Sequence, residues 1–259
     1  MTHFTCDLVI AYYKENLDWL AAYKDRQFRK IFLYTKGAEH PVSPLPYIEK
    51  KLPNIGRCDH TYLHHIVEEY DDLPTVTIFA TGSAHAIAYK KINLDFIVEK
   101  AFTTHDSVFR GQRHKSIKNT FHDFKLNSWQ ATNSSNKEST EKDALHPAPI
   151  RPFKQWYEKT FPGIDVNFVT FGGVFAVSKQ HIQSRKKESY AELMAQFPKH
   201  SNPELGHYIE RSWLAVFHPV PEKCLYPESE HFPSRGGARR RGKTRRTRRR
   251  RSSRRRSFL

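Results

Sequence analysis

The stretch from residue 52 to residue 82 constrains the fold more than any other part of the chain. Its opening letters, LPNIGR, predict a loop, because Pro, Gly and Asn favour turns. Residues 59–70 predict a helix, because their apolar side chains recur at the spacing of one helical face. The apolar, β-branched run 75–80 then predicts a buried strand that ends in a small polar loop. This order is typical of one unit of an α/β sheet.

The residues before this stretch show the same alternation. Residues 6–13 (CDLVIAYY) predict a central parallel strand, residues 16–24 a helix capped by Asn16, and residues 30–35 a second strand. The alternation predicts an α/β fold with a single doubly wound, mostly parallel sheet. In open sheets of this kind, ligands bind beyond the carboxyl ends of the strands. We therefore expect functional residues in the loops 11–16, 54–57 and 81–85.

Two of these loops carry candidate nucleotide-binding residues. Tyr12 and Lys14 follow the first strand, where a ring can stack on a base and an ammonium can meet a phosphate. The alternative is that these residues are an ordinary solvent-exposed strand end with no ligand-binding role. Asn54, Gly56 and Arg57 precede a helix start, where Gly lets the backbone approach a ligand and Arg forks onto phosphate. The alternative is an ordinary turn with a surface arginine.

The second half of the chain is less regular. Residues 103–126 show no clear pattern, and residues 127–149 are polar and predict a flexible insertion. The remaining residues predict a helix at 93–102, a short helix from Pro152, strands at 166–171 and 174–178, one or two helices within 179–197 and a helix at 202–217.

Two further groups of residues are candidates for the site. Gly172 and Gly173 separate two predicted strands. They form either a simple bend or a segment whose lack of side chains lets a sugar lie close to the backbone. Glu204, His207 and Arg211 share a polar stripe on the last predicted helix. An acid, a histidine and an arginine on one face suit a general base with an orienting partner. The spacing alone favours the plainer interpretation, a solvent-facing stripe of ion pairs.

Several common catalytic motifs are absent from the sequence. The chain has no Rossmann G-x-G-x-x-G, no P-loop, no G-x-S-x-G and no H-E-x-x-H. Cys58, His60, His64 and His65 do not predict a zinc site, because Cys-x-His is too tight a spacing and no second Cys pair exists. The sequence also shows no signal peptide and no apolar run long enough for a transmembrane helix.

The strong positive charge of the chain is concentrated at its end. Residues 234–259 hold 14 of the 43 Lys and Arg and no acid, which leaves 29 bases against 27 acids in residues 1–233. We therefore divide the chain into an α/β domain, 1–233, and a disordered Arg-rich tail, 234–259. Such a tail binds polyanions, so Arg235–Arg256 predict contact with nucleic acid, an import receptor or an anionic membrane. The three scattered cysteines favour reduced thiols and a cytoplasmic or nuclear location.

Five segments together resemble an uncharacterised family, domain of unknown function 3431, which is found in fungi, plants and some large DNA viruses. The resemblance covers roughly residues 6–217 without 103–150. The segments are DLVIAYYKENLDWL (7–20), IFLYTKG (31–37), LPNIGRCDHTYLHHIVEEYDDLPTVTIF (52–79), GGVFAVSK (172–179) and NPELGHYIERSWLAVF (202–217). The basic tail resembles those of large-virus proteins, which implies a viral factory or virion as further locations.

The family's pattern in turn resembles GT-A glycosyltransferases, which implies a GT-A-like (Rossmann-like) domain that transfers sugar from a nucleotide-sugar. By this resemblance, the loop residues above hold the nucleotide. His85, Arg211 and the glycine pair line the cleft, with Glu204 or His207 as base. The resemblance also implies Mn²⁺ or Mg²⁺, but the expected Asp-x-Asp is replaced by Thr81-Gly82-Ser83. The alternative function is a non-catalytic, degenerate domain docked by its tail on nucleic acid or in a virion.

Overall fold

The computed structural model describes residues 3–126 and 146–228. Most of the predicted insertion, residues 127–145, lies outside these ranges, and so does the predicted tail with Arg235–Arg256. The described strands are β1 (Cys6–Tyr12), β2 (Lys30–Thr35), β3 (Ile48–Lys51), β4 (Val76–Thr81), β5 (Phe109–Arg113), β6 (Phe168–Val169), β7 (Phe175–Ser178) and β8 (Leu225–Pro227).

The helices lie mostly between these strands, as the sequence alternation predicts. The described α-helices are α1 (Arg57–Glu69), α2 (Ala88–Thr104), α3 (Ile117–Thr120), α4 (Phe153–Thr160), α5 (Lys179–Ile182), α6 (Lys187–Ala195) and α7 (Glu204–Val216). Short 3-10 helices cover Asp18–Tyr23 and Glu222–Cys224.

The main sheet has five strands in the order β3-β2-β1-β4-β7. The first four strands are parallel, and β7 runs antiparallel to β4. Ala11 on β1 is aligned with both Tyr34 on β2 and Thr81 on β4, so these strands end at one edge. The predicted parallel α/β arrangement is confirmed, and it brings the loops after β1, β2 and β4 together.

The prediction of a single sheet is wrong, because β6, β5 and β8 form a second sheet in that order. Reciprocal backbone hydrogen bonds between Val108 and Ala176, of 2.9 and 3.0 Å, connect the approach to β5 with β7. The strands of the second sheet are short and come from distant parts of the chain. β6 lies within the predicted strand 166–171, whereas local hydrophobic patterns did not identify β5 or β8.

One local prediction also differs from the structure, and one strand of the main sheet was not predicted. The predicted α-helix at 16–24 is a 3-10 helix over Asp18–Tyr23, and the Asn16 side-chain oxygen accepts a hydrogen bond from the Asp18 N–H over 2.6 Å. The Pro-rich connection before residue 52 contains the edge strand β3. Proline is tolerated beside an edge strand because one side of that strand makes no ladder bonds.

Hydrophobic cores cover both faces of the main sheet. On β1, Leu8 and Ile10 face the core that contains α2, whereas Val9 faces the core that contains α1, α4 and α7. On β4, Ile78 and Phe79 divide in the same way. Burial on two faces explains why both strands are uninterrupted apolar runs rather than alternating ones.

Candidate functional site

A cavity of about 290 Å³ opens at the carboxyl ends of β1 and β4. This volume is near the lower end of small-molecule sites. Among the described residues, the wall has three cationic side chains, Lys36, Arg57 and Lys90, and one carboxylate, Glu15. The other wall residues are Ala11, Tyr12, Tyr13, Asn54, Cys58, Thr81, Ser83, Ala86, Ile87 and Ser201. The electrostatics of this wall favour an anionic ligand.

The residues predicted to hold a nucleotide converge on this cavity. Tyr12, Asn54 and Arg57 lie in its wall, whereas Lys14 and Gly56 are not wall residues, although each is next in the chain to one. Tyr12 is the last residue of β1, and residues 54–56 lead into α1, which begins at Arg57. The carboxyl-end rule therefore predicted the edge of the sheet at which this cavity lies.

The start of α1 is a strained turn. Gly56 and Arg57 both have positive φ angles, 61° and 54°. A non-glycine residue in this region carries a conformational cost, and such residues cluster at functional sites. The Gly56 N–H donates to the His200 carbonyl (2.8 Å) and the Arg57 N–H to the Ser201 carbonyl (3.1 Å). These bonds hold Arg57 in the conformation that places it in the cavity wall.

Lys36 secures the same turn from the opposite side. Its ammonium donates to the carbonyl oxygens of Ile55, at 2.6 Å, and Arg57. The side chain is buried, and burial lowers the pKa of Lys36 to about 7. We did not single out Lys36 from the sequence, yet it follows β2 directly, and applying the carboxyl-end rule to β2 would have found it.

Glu15 is fixed by the backbone of its own loop. Its Oε2 atom accepts hydrogen bonds from the N–H groups of Tyr13 (2.8 Å) and Lys14 (3.2 Å). A Cβ atom on Gly82 would lie 2.7 Å from this oxygen, closer than atoms can approach. Glycine at position 82 therefore lets the loop after β4 pack against the Glu15 carboxylate.

Lys90 reaches the cavity from the first turn of α2. Its Nζ atom lies 3.4 Å from the hydroxyl oxygens of Thr81 and Ser83. No local motif marks this lysine in the sequence, because it stands in an ordinary Tyr-Lys-Lys run. Only the packing of α2 against the end of β4 shows that it belongs to the site.

The predicted glycine pair lies behind the cavity wall. Gly173 has φ 66°, and a Cβ atom there would lie 2.7 Å from Cys58 Sγ and 3.1 Å from Thr81 Cγ2. Both contacted residues are in the wall. The Gly172 N–H donates to Glu210 Oε1 over 3.0 Å. The glycine turn therefore connects the cavity wall with α7.

Glu210 and Asp59 have opposite pKa shifts. Burial, and then the nearby Glu210 charge, raises the pKa of Asp59 to about 7. Burial opposes the charge of Glu210, but Arg57, His207 and Arg211 outweigh it and lower its pKa. Pairs of carboxyls with separated pKa values are typical of acid and base roles. Glu210 was missed, although it stands three residues after His207 on the same stripe.

Glu204 lies in a different environment from the cavity. It is fully buried, and its carboxylate accepts from the backbone N–H groups of Leu126 (2.5 Å) and Ala148 (2.8 Å). Arg151 Nε lies 2.8 Å from its Oε2. The carboxylate binds together two segments of backbone, and it is not part of the cavity wall. This arrangement is that of a structural anchor.

The other predicted cleft residues also lie outside the wall. His85 stacks on Trp19, with ring centroids 5.1 Å apart. The Arg211 guanidinium lies 4.0 Å from the centre of the Phe124 ring and donates to the His207 carbonyl. Burial, followed by the charge of Arg57, lowers the pKa of His207 to about 4, so its ring is neutral at pH 7. The structure brings His207 and Arg211 close to Glu210 rather than into the cavity.

The donor set does not fit a divalent metal ion. Within residues 3–126 and 146–228, no group of three His, Cys, Asp or Glu side chains is arranged to hold a metal. The positions after β4 are Gly82 and Ser83, where the GT-A resemblance calls for a carboxylate pair. In the same part of the chain, no helix has the length and apolar character needed to cross a membrane.

Comparison with known proteins identifies the family of the chain. No curated protein has a significantly similar sequence. One similar solved structure is the crystal structure of HddC from Yersinia pseudotuberculosis, with 13% identity over 69% of this chain and 79% of that chain. Its TM-score is 0.28, which is too low to support an argument. Residues 8–231 match the family model described as "Protein of unknown function (DUF3431)", and the chain therefore belongs to the DUF3431 family.

Proposed function

We propose that this protein is a GT-A-like glycosyltransferase that binds the nucleoside diphosphate part of a nucleotide-sugar in the cavity. The observation that carries the proposal is the position of three basic side chains and two tyrosines around one cavity at the carboxyl edge of a parallel sheet. Cations from separate elements suit a diphosphate, and a tyrosine ring suits a base. In this arrangement Arg57 and Lys90 hold the phosphates, and Tyr12 or Tyr13 packs against the base.

The sugar then lies towards the glycine turn and α7. Glu210 is the better candidate for the general base than Glu204. One Glu210 oxygen accepts the Gly172 N–H at the glycine turn behind the wall. Both Glu204 oxygens instead accept backbone N–H groups away from the cavity, and Arg151 lies against one of them. The low pKa of Glu210 keeps it ionised at pH 7. In a direct displacement, Glu210 accepts the proton of the acceptor hydroxyl as the acceptor oxygen bonds to the sugar carbon. The bond from that carbon to phosphate breaks, and the nucleoside diphosphate leaves with the electron pair.

Thermal unfolding of the full chain tests the proposal. Ligand at about 100 times its dissociation constant adds about 2.7 kcal/mol, which raises the melting midpoint by about 5 to 10 °C in a body of this size. The panel contains nucleotide-sugars, the matching nucleoside diphosphates and the free nucleosides. We expect one base class to shift the midpoint and its free nucleoside to have little effect. A midpoint unchanged by every diphosphate compound would contradict nucleotide-sugar binding.

A second function is favoured by the tail composition alone. Fourteen basic residues without an acid predict polyanion binding by a non-catalytic module. Binding of the full chain to mixed-sequence duplex DNA should then weaken steeply with salt and remain unchanged in Arg57→Gln. A flat salt response would contradict an electrostatic role for the tail.

A further inference from the structure

We propose that Arg57, Lys90 and Lys36 take the place of a divalent metal ion at the diphosphate, so that this protein binds nucleoside diphosphates without a metal. This inference rests on the proposed function, because it assumes that the ligand of the cavity is a nucleoside diphosphate. It extends that function by assigning the neutralisation of the phosphates to residues of the chain.

The first argument is the balance of charge. In the described part of the chain, the cavity wall holds the cations Arg57 and Lys90, the buried amine of Lys36 and a single carboxylate, Glu15. With its pKa at about 7, Lys36 is about half protonated at pH 7, and a nearby diphosphate favours its charged form. Such a wall attracts a diphosphate and repels an approaching divalent cation. Glu15 is also engaged, since its Oε2 accepts two backbone N–H bonds and packs on Gly82. Turning this carboxylate towards a metal would leave both N–H groups to find new partners.

The second argument is the placement of the cations. Lys36 follows β2, Arg57 begins α1, and Lys90 lies in the first turn of α2. The three side chains therefore approach the cavity from three different elements. Together they can surround a diphosphate, as a metal ion and its neighbouring protein groups would. The guanidinium of Arg57 can grip two phosphate oxygens at once, whereas the ammonium groups act as point charges.

The third argument is the rigidity of the cationic groups. Lys36 is buried and bonded to the carbonyl oxygens on both sides of Gly56. Arg57 donates from Nη1 to Asn202 Oδ1 over 3.3 Å, and its backbone conformation is set by the bond to Ser201. Preorganised charges stabilise a leaving group more than mobile surface charges do. When the sugar–phosphate bond breaks, the electron pair stays on the phosphate oxygen next to these fixed cations.

The experiment uses the full chain and the nucleoside diphosphates UDP, GDP, CDP and ADP as probes. Each is titrated by calorimetry and by thermal unfolding, in excess EDTA and in millimolar Mn²⁺. Because the basic tail has the same charge in the folded and unfolded chain, its contacts have little effect on the melting midpoint. We expect the diphosphate that binds most tightly to do so with equal affinity, within about twofold, with and without metal.

A matched pair of variants identifies the cations. Lys90→Gln removes a charge from the cavity wall, whereas Lys91→Gln removes the neighbouring charge, which pairs with Asp95 on the surface. Loss of a charged hydrogen bond corresponds to about a tenfold to hundredfold weaker affinity. We expect this loss for Lys90→Gln and for Arg57→Gln. Lys91→Gln should bind within about twofold of the unmodified chain. The melting midpoints without ligand verify that each variant is folded.

The outcomes separate the two proposals. Tight binding that disappears in EDTA overturns the metal-free inference and leaves the nucleotide-sugar proposal standing. Metal-free binding that is equally strong in Lys90→Gln and Lys91→Gln also overturns the inference, because the cavity cations would then not be the phosphate ligands. Failure of all four probes to bind under either condition rejects both proposals.

Discussion

The cavity wall and the anchor around Glu204 both place charged residues beside the start of a helix, but the two regions use charge differently. In the wall, Arg57 and Lys90 stand at the starts of α1 and α2 and border an open cavity. Glu204 stands at the start of α7, is fully excluded from solvent and binds backbone N–H groups and Arg151. A charge beside a helix start is therefore a site residue only where the packing leaves a cavity.

Backbone strain also distinguishes the two regions, because it is present in the cavity wall and absent at Glu204. Arg57 has a φ angle of 54°, and bonds from residues 200 and 201 hold it there. At Glu204 the helix begins without strain, because the preceding Pro203 has an ordinary extended conformation with φ −72°. The wall combines strain, open volume and like charges, all of which reduce stability. This combination is the physical reason for regarding the wall as the functional region.

The largest expected effect is acid destabilisation by three histidines, of which His65 is fully buried and His60 and His207 are partly buried. Burial lowers the pKa of His60 and His65 to about 3 and that of His207 to about 4, below the ordinary value near 6.5. Below pH 6.5 the unfolded chain therefore binds more protons, and each group reduces the free energy of unfolding by up to about 1.4 kcal/mol per pH unit. Because the pKa of Asp59 is raised to about 7, its protonation increases the free energy of unfolding as the pH falls. This increase offsets the loss from one histidine.

Urea unfolding at pH 7 and pH 5 measures this effect. The free energy of unfolding should fall with pH, and His3→Asn, a change at an exposed residue, should leave the difference unchanged. Stability that is constant or higher at pH 5 would show that these interior histidines are solvated. The interior and the cavity wall would then differ little in their exposure to water.

The anchor should contribute to stability and not to ligand binding. Glu204→Gln leaves Arg151 without its carboxylate and one backbone N–H without an acceptor, which should cost about 3 kcal/mol. Denaturant midpoints measure the loss, and Glu158→Gln, at a half-exposed surface position, serves as the control with a cost below about 0.5 kcal/mol. If Glu204→Gln kept full stability but lost nucleotide affinity, the roles assigned to the two regions would be reversed.

A comparison of two glycines with positive φ angles separates the cost of crowding behind the wall from the cost of the backbone conformation. Gly173 has φ 66° with Cys58 Sγ 2.7 Å from the Cβ position, whereas Gly163 has φ 75° and nothing within 4 Å. Gly163→Ala carries only the backbone cost, about 1 kcal/mol, and Gly173→Ala should cost about 2 kcal/mol more because of overpacking. Thermal unfolding of both variants measures the difference. Equal losses would mean that the wall is loosely packed.

The smallest expected effect measures the strain at Arg57. Glycine accepts a φ of 54° without the steric cost that alanine meets, so Arg57→Gly should be more stable than Arg57→Ala by about 1 kcal/mol. Both variants lack the guanidinium and should bind nucleotide equally poorly. An Arg57→Ala variant at least as stable as Arg57→Gly would show that the turn stores no strain. Backbone strain at Arg57 would then give no support for a functional role of the wall.

The predictable part of the fold is the part with local signals. The apolar runs of β1 and β4, buried on two faces, and the periodic helices α1 and α7 were visible in the sequence. Tyr12, Asn54 and Arg57 followed from the rule that sites lie at the carboxyl ends of strands. The strands β5 and β8 were not predicted, because their pairing is long-range and their sequences are too short to show a period. β6 lies within the predicted strand 166–171, but its pairing with β5 in a second sheet was not predicted.

The alternation of strands and helices, the edge of the sheet where the cavity lies and the concentration of positive charge in the last 26 residues can all be read from local sequence. Which charged side chains border the cavity depends on tertiary packing. Lys90 enters the site because α2 packs against the end of β4, and Glu204 leaves it because Leu126, Ala148 and Arg151 enclose its carboxylate. The physical reason is that burial and charge pairing depend on residues far apart in the chain, whereas secondary structure depends mainly on neighbours.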